Sequence, residues 1–200
     1  MNPVLEAIHR RRSFSPRYLA APGPDRHALE AIAGAAAAAP DHGDLGPTRV
    51  VEVPDTARPG LAEAFADAAL ELRPDADAAA LAESRARAMG GPTLLAIVAR
   101  IDPAHDRVPA GEQWISVGAA VQNMLLAAES LGFRGKLLSG ARVRSRALRR
   151  FFSLGENEHL AAFLALGTPV GEPKLRQRRD AAGILSPLSP PARRPDGGQT

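Results

Sequence analysis

Two long apolar runs constrain the fold of this chain more than any other feature. Their sequences are "PTLLAIVARI" over residues 92–101 and "HLAAFLALGTP" over residues 159–169. A nearly continuous apolar run of this length is typical of a strand that is covered on both faces. We therefore expect both runs to be buried strands of one central sheet.

The remaining patterns add helices and a few further strands. Residues 49–53 and the stretch "FRGKLLSG" after Gly132 read as strands. Helical spacing of apolar residues covers residues 3–11, 24–38, 61–72, 77–89, 111–131 and 142–152. The longest of these, residues 111–131, predicts a buried central helix. Together, these strands and helices predict an α+β or three-layer fold, with an antiparallel or mixed sheet flanked by helices.

Composition limits the classes of function and predicts how the chain is organised. The chain has 200 residues and 45% apolar content, enough for one core, which we place in residues 1–170. Residues 171–200 are rich in Pro and Arg and predict a tail that is disordered or lies as an arm on another surface. Cysteine is absent, which excludes disulfides and thiolate catalysis. Neither a membrane span nor a signal peptide is visible, so we expect a cytoplasmic protein.

The stretch "HRRRS" at residues 9–13 has two interpretations. Basic residues at a helix C-terminus are favourable against its dipole, and this explanation needs no ligand. Alternatively, the arginines and the Ser13 hydroxyl bind a phosphate, which suits the planar guanidinium. Binding of nucleic acid has less support, because the net charge is only +3 and aromatic residues are scarce.

Other polar residues give weaker indications. His42 in "APDHGDLGP" reads as an exposed turn residue, with Asp41 as its turn or charge partner. Glu112 is explained by its place at the start of a helix. The histidines show no ligand spacing, so we expect no metal site. The motifs G-x-S-x-G, G-x-G-x-x-G and Walker A are also missing from the sequence.

The order of several segments resembles the flavin-dependent nitroreductase family. These segments are "RRS" after the first helix, "APDH" after the second, "GEQWISVGAAVQNMLLAAESLGF", "KLLSGA" and "FLALGTP". The resemblance covers residues 3–169. It implies a small homodimeric FMN protein that transfers hydride from NAD(P)H, in a ping-pong mechanism, to nitroaromatic, quinone or other electron-poor acceptors. No catalytic side chain is implied, because the flavin N5 carries the hydride.

The resemblance also implies which residues bind the flavin. Arg11, Arg12 and Ser13 would hold its phosphate and ribityl chain. His42 would reach the flavin of the partner subunit. A second stretch, formed by Leu137, Leu138, Ser139 and Gly140, would lie along the isoalloxazine ring, with a backbone N–H near N5.

Three departures from the family pattern motivate an alternative. Gly46-Pro47-Thr48 replaces a Q-P-W sequence, and Ala38 and Leu138 stand where relatives carry basic residues. The alternative is therefore a degenerate flavin-binding protein without efficient turnover. A third hypothesis, based on "HRRRS" and on "RQRR" at residues 176–179, is a small basic interaction protein.

Overall fold

A computed structural model describes residues 2–172, 178 and 180–188 of the chain. In these residues it contains a sheet with helices on both faces. The α-helices are α1 (Pro3–Arg10), α2 (Arg26–Ala37), α3 (Arg58–Leu72), α4 (Ala78–Ala86), α5 (Ala110–Ser130) and α6 (Arg146–Phe151). The strands are β1 (Leu19–Ala20), β2 (Thr48–Glu52), β3 (Thr93–Arg100), β4 (Arg134–Leu138) and β5 (Glu158–Pro169).

The strands form one antiparallel sheet. Its main path runs β1, β5, β3, β2, and β4 also pairs with β5. In register, Ala96 of β3 lies opposite Phe163 of β5, and Phe163 also lies opposite Leu138 of β4. The prediction of an α+β fold with a central sheet is therefore confirmed, and all pairs between these strands are antiparallel.

The two apolar runs are buried because both faces of the sheet are covered. Leu94 and Ala96 face one core cluster, while Leu95 and Ile97 face the other. Helices α3 and α6 cover the first face, and α2 and α5 cover the second. Since successive strand residues point to opposite faces, a strand between two helical layers needs apolar side chains at every position.

Helix starts follow local capping chemistry. The side chains of Asn2, Asp25, Asp77 and Ser145 each accept a hydrogen bond from a backbone N–H in the first turn of the helix that follows. Such caps satisfy N–H groups that have no partner within the helix. Ser145 also corrects the sequence prediction for residues 142–152. Instead of one helix, a 3₁₀ turn (Ala141–Arg144) precedes α6, because the capping residue is in an extended conformation.

Helix α5 differs from the expected buried central helix. One side is buried and includes Val117 and Met124, but the opposite side, with Ile115, is exposed in the single chain. Helix α1 has no buried residue, although Val4, Leu5 and Ile8 give it an apolar face. Exposed apolar residues on two neighbouring helices are typical of an interaction surface.

One carboxylate, that of Glu158, connects strands β2, β3 and β5. The Arg49 side chain of β2 donates two hydrogen bonds to Glu158 of β5, at 2.9 and 3.0 Å. Arg100 of β3 and the backbone N–H of Gly155 also donate to this carboxylate. These hydrogen bonds, with that of Arg49 foremost, lower the pKa of Glu158 to about 2.

This ion-pair network predicts acid-sensitive stability. A carboxylate whose pKa is depressed in the folded state stabilises the fold above its unfolded pKa, and this contribution is lost as the pH falls through the folded pKa. We expect the free energy of unfolding to fall by about 1–3 kcal/mol between pH 4.5 and 2 through Glu158. Urea denaturation at several pH values checks this. Glu158→Gln should flatten the dependence, whereas Glu156→Gln, at an exposed neighbour, should keep the wild-type slope.

Candidate functional site

Strand β4 joins the two groups of site residues that the sequence suggested. At its start, Ser13 forms a parallel bridge with Gly135, and the Phe14 N–H donates to the Gly135 carbonyl at 3.1 Å. At its end lie Leu137 and Leu138, followed by Ser139 and Gly140. Three steps along a strand span about 10 Å. The structure therefore places "RRS" and "LLSG" at opposite ends of one short strand.

Arg12 and Arg11 play different roles beside this strand. The Arg12 guanidinium donates to the carbonyls of His9 at 2.6 Å and Arg11 at 3.0 Å. Arg12 therefore caps the end of α1, as the helix-capping interpretation predicts. Arg11 instead directs Nη1 toward the Ser13 hydroxyl, at 3.4 Å.

Arg178 adds a further cation to this group. Its guanidinium donates to the Arg11 carbonyl at 2.7 Å. The pKa of Arg11 is lowered, first by burial and then by the positive charge of Arg178. Two neighbouring guanidinium groups repel each other, and an anion bound between them offsets that repulsion. The pair therefore favours binding of an anion. We call Arg11, Ser13 and Arg178 the arginine cluster.

A buried carboxylate lies behind the arginine cluster. The Glu129 side chain is 4% exposed, and in the part of the chain that the structure describes neither oxygen has a hydrogen-bond partner. The nearest cations are Arg10, with Nε at 3.5 Å, and Arg134, with Nη2 at 3.9 Å. Glu129 also acts on Arg11 through its charge. It therefore offsets part of the positive charge at this end of the strand.

The other end of β4 opens into a large cavity of about 1180 Å³. Its apolar wall includes Phe65 and Phe163, whose rings meet edge to face at 5.3 Å. Leu137, Leu138 and Ser139 line it, together with the segment around Gly90. The charged residues in the lining are Arg17, Glu83, Arg87, Lys136 and Arg142. A cavity of this size, mainly apolar with a few polar groups, fits a planar organic ligand.

One wall of the cavity is fixed by a buried arginine. Arg58 is 2% exposed, and its guanidinium donates to the carbonyls of Ala88 at 2.9 Å and Gly91 at 3.2 Å. These carbonyls belong to the segment between α4 and β3 that carries Arg87 and Met89 into the lining. A charged donor shared by several carbonyls helps to order that segment.

Gly140 allows close approach at the end of the strand. Its φ is 121°, a value that residues with a side chain rarely adopt, and no atom lies within 4 Å of the position a Cβ would take. The backbone at residues 139–140 is therefore accessible to a flat ligand.

His42 is not part of this arrangement within one chain. Its Nδ1 lies 2.6 Å from Glu112 Oε2 at the start of α5, and His42 does not line the cavity. Asp41 does not pair with His42 but accepts a hydrogen bond from the Gly46 N–H at 2.7 Å. Of the two roles expected for Asp41, the turn is confirmed, whereas the charge partner of His42 is Glu112.

Sequence reasoning missed most of the charged residues of the site. Lys136 and Arg142 flank the "LLSG" stretch but were not singled out, and Arg87 comes from a distant helical segment. Arg178 was noted only as part of a basic stretch. The charge itself was visible in the sequence, whereas its position in the cavity depends on long-range folding.

Two further kinds of feature are absent from the described residues. No group of three or more His, Cys, Asp or Glu side chains is placed to hold a metal ion within residues 2–172, 178 and 180–188. No helix in the same ranges is long and apolar enough to cross a membrane.

Comparison with known proteins identifies the family. The family model described as "Nitroreductase family" matches residues 8–168. This chain belongs to the nitroreductase family. It is 34% identical over 154 residues to a Haemophilus influenzae protein named "Putative NAD(P)H nitroreductase", covering 77% of this chain and 83% of that protein. The family is one of oxidoreductases, as the resemblance implied.

Solved structures of the family share the fold. A nitroreductase-like protein from Bacillus cereus superposes with a TM-score of 0.77 at 17% identity, covering 94% of this chain and 97% of that one. A variant of the nitroreductase NfnB from sphigopyxis sp. strain HMH, described as FMN- and NADPH-dependent, gives a TM-score of 0.73 at 20% identity, covering 92% and 98%. At these identities the similarity shows the fold alone.

Gly135, which forms the bridge with Ser13, is packed too tightly to accept a side chain. A Cβ at Gly135 would lie 2.6 Å from Leu166 Cδ2 and 2.9 Å from the Ala165 carbonyl oxygen. We expect Gly135→Ala to lower the free energy of unfolding by about 1–3 kcal/mol through overpacking. Gly34→Ala is the control, because α2 leaves open space there, and it should raise stability by up to about 1 kcal/mol. Chemical denaturation checks both, and equal effects would contradict the packing argument.

Proposed function

We propose that the chain is an FMN-dependent NAD(P)H oxidoreductase that reduces nitroaromatic, quinone or other electron-poor acceptors. The observation that carries this proposal is the short strand β4, which joins the arginine cluster to the cavity. A ligand with an anionic end and a flat ring system fits this spacing. The NfnB structure, described as FMN- and NADPH-dependent, supports this cofactor and reductant, and the name of the Haemophilus influenzae protein supports NAD(P)H as the reductant.

The residues fit FMN at both ends. Arg11, Ser13 and Arg178 would hold the phosphate, while Arg12 is occupied with the end of α1. Leu137, Leu138, Ser139 and Gly140 would lie along the isoalloxazine ring, with a backbone N–H directed toward N5. When bound, FMN would supply the hydride chemistry, taking hydride from NAD(P)H and passing the electrons to the acceptor. The chain itself binds and orients the ligands, and no side-chain acid or base is needed.

The cavity supplies positive charge that Leu138 does not. Leu138 departs from the basic residue of many relatives, but Lys136, two positions before it, lines the same cavity. Lys136 would supply positive charge near the flavin, which favours an active enzyme over a degenerate protein that binds flavin without turnover. Ala38 has no such replacement in the described residues, and the loss of this cation is the observation that favours the degenerate protein.

We also propose that the working unit is a homodimer. The apolar faces of α1 and α5 are uncovered in one chain, and a shallow apolar groove of about 470 Å³ lies between α1, α2 and α5. His42 would then reach the flavin of the partner subunit. The domain would comprise residues 1–170. Much of the tail of residues 171–200 lies outside the described residues, and its role as an arm remains a prediction.

The phosphate role of Arg11 predicts a selective loss of affinity. We expect Arg11→Ala to weaken FMN binding about tenfold or more, since it removes a charge-assisted hydrogen bond. Riboflavin, which lacks the phosphate, should bind wild type and variant with similar affinity. Quenching of flavin fluorescence measures both. Arg107→Ala, at an exposed loop position, is the control and should change neither affinity.

Turnover separates the enzyme from its alternatives. FMN-loaded protein should oxidise NAD(P)H in the presence of a quinone, with the parallel double-reciprocal lines of a ping-pong mechanism. FMN binding without NAD(P)H oxidation would favour the degenerate protein. Failure to bind FMN, together with salt-dependent binding of nucleic acid, would favour the basic interaction protein instead.

The dimer proposal has its own test. Ile115 is 73% exposed on α5, so a charge there should cost the single chain little stability. In a dimer that buries this face, Ile115→Glu would place an unpaired charge in an apolar interface. We expect sedimentation to show a dimer for wild type and a monomer for the variant at low micromolar concentration. A wild-type monomer would contradict the proposal.

A further inference from the structure

The cavity beside residues 137–140 contains more positive charge than its own carboxylate balances. Its lining has four cations, Arg17, Arg87, Lys136 and Arg142, and one carboxylate, Glu83. Glu83 is already paired with Arg87, at 2.5 Å. Among the described residues, the side chains of Arg17, Lys136 and Arg142 form no salt bridge and donate no hydrogen bond to the protein.

Two of these cations are held in place without being neutralised. The Arg142 guanidinium lies over the Phe65 ring, with its carbon 5.2 Å from the ring centroid. Arg17 lies over the Tyr18 ring at 4.8 Å. Stacking on an aromatic face orients a guanidinium and leaves its N–H groups available for an anion. Burial is the main cause that lowers the pKa of Arg142, and the charge of Arg87 lowers it further, against the opposing effect of the Glu83 carboxylate.

The cofactor of the proposed function accounts for only part of this charge, because Lys136 alone would supply the positive charge near the ring that Leu138 does not. Its phosphate would bind at the arginine cluster, at the other end of β4, and the oxidised isoalloxazine ring that would lie at this end is uncharged. A second ligand must enter the same cavity to exchange electrons with the ring. Unpaired cations in a partly desolvated site favour a ligand with a negative charge.

We propose that this cavity selects electron acceptors that carry a carboxylate on a planar ring, and that Arg142 is the specificity-determining residue. This inference rests on the proposed function. For a nitro acceptor the reaction balances: NAD(P)H supplies a hydride, solvent supplies a proton, and the nitro group becomes a nitroso group with release of water. Arg142 binds the carboxylate and takes no part in the electron transfer.

The test compares two acceptors that differ in charge, 4-nitrobenzoate and 4-nitrobenzamide. In a ping-pong mechanism kcat/KM for the acceptor does not depend on the reductant, so the ratio of the two kcat/KM values reports acceptor recognition alone. We expect wild type to prefer the carboxylate and Arg142→Gln to lower the ratio about tenfold, the loss of one charge-assisted hydrogen bond. The preference should also fall with rising ionic strength.

Two further variants control for loss of structure. Arg142→Lys keeps the charge and should retain part of the preference. Arg144→Gln removes the same charge from an exposed position in the same 3₁₀ turn, outside the cavity lining, and should leave the ratio at the wild-type value. Equal ratios in wild type and Arg142→Gln would overturn the proposal. A change in kcat/KM for NADH or NADPH alone would also overturn it, because the anion recognised would then belong to the reductant.

A binding measurement separates this inference from the proposed function. Calorimetric titration with benzoate and benzamide needs no turnover. Tighter binding of benzoate, lost in Arg142→Gln, would support the anion site even if NAD(P)H oxidation failed. Turnover of 4-nitrobenzamide without any preference for benzoate or 4-nitrobenzoate would support the proposed function and contradict the anion site.

Discussion

The pairing of β5 with strands on both of its edges determines where the candidate site lies. Residues Phe163 to Leu166 face β3 on one side and β4 on the other. Because these residues also pack into both cores, β5 cannot shift without disrupting the interior. Strand β4 takes its position from β5, and the bridge between Gly135 and Ser13 transmits that position to Arg11. The buried strand β5 therefore fixes the position of the candidate site, although the residues of the site itself are largely exposed.

The parts of the fold that could be predicted from sequence are those with a local or periodic cause. Unbroken apolar runs indicated β3 and β5, since burial on both faces leaves no position for a polar residue. Helix α5 ended near the predicted Gly132, whose φ of 88° favours glycine after a helix. The two-residue strand β1 could not be predicted, because nothing in "LA" distinguishes it from a loop until it meets the end of β5. The break before α6 could not be predicted either, because it depends on the extended conformation of Ser145.

The candidate site was predictable only where the family resemblance supplied it. The structure places Arg11 and Ser13 beside one end of β4 and residues 137–139 at its other end, an arrangement that the resemblance did not specify. Arg87 and Arg142 were missed for a physical reason, since they are separated by 55 residues and share a cavity only after α4 packs on α3. Arginine is common throughout this chain, and its frequency carried no signal of which side chains face inward.

A small net charge can therefore conceal two strongly charged places. The chain has 25 Lys and Arg residues against 22 Asp and Glu residues, a net charge of only +3, and several arginines pair with nearby carboxylates, as Arg85 does with Glu63 and Arg49 with Glu158. Among the described residues, cations without such a partner lie at both ends of β4. At one end Arg11 and Arg178 are balanced only in part by the buried Glu129, which also lies near Arg10 and Arg134. At the other end Arg17, Lys136 and Arg142 line the cavity unpaired in the described part of the chain. Since these side chains are exposed or half-buried, an anion from outside the chain can reach them at both ends of β4, as the proposed phosphate and carboxylate sites require.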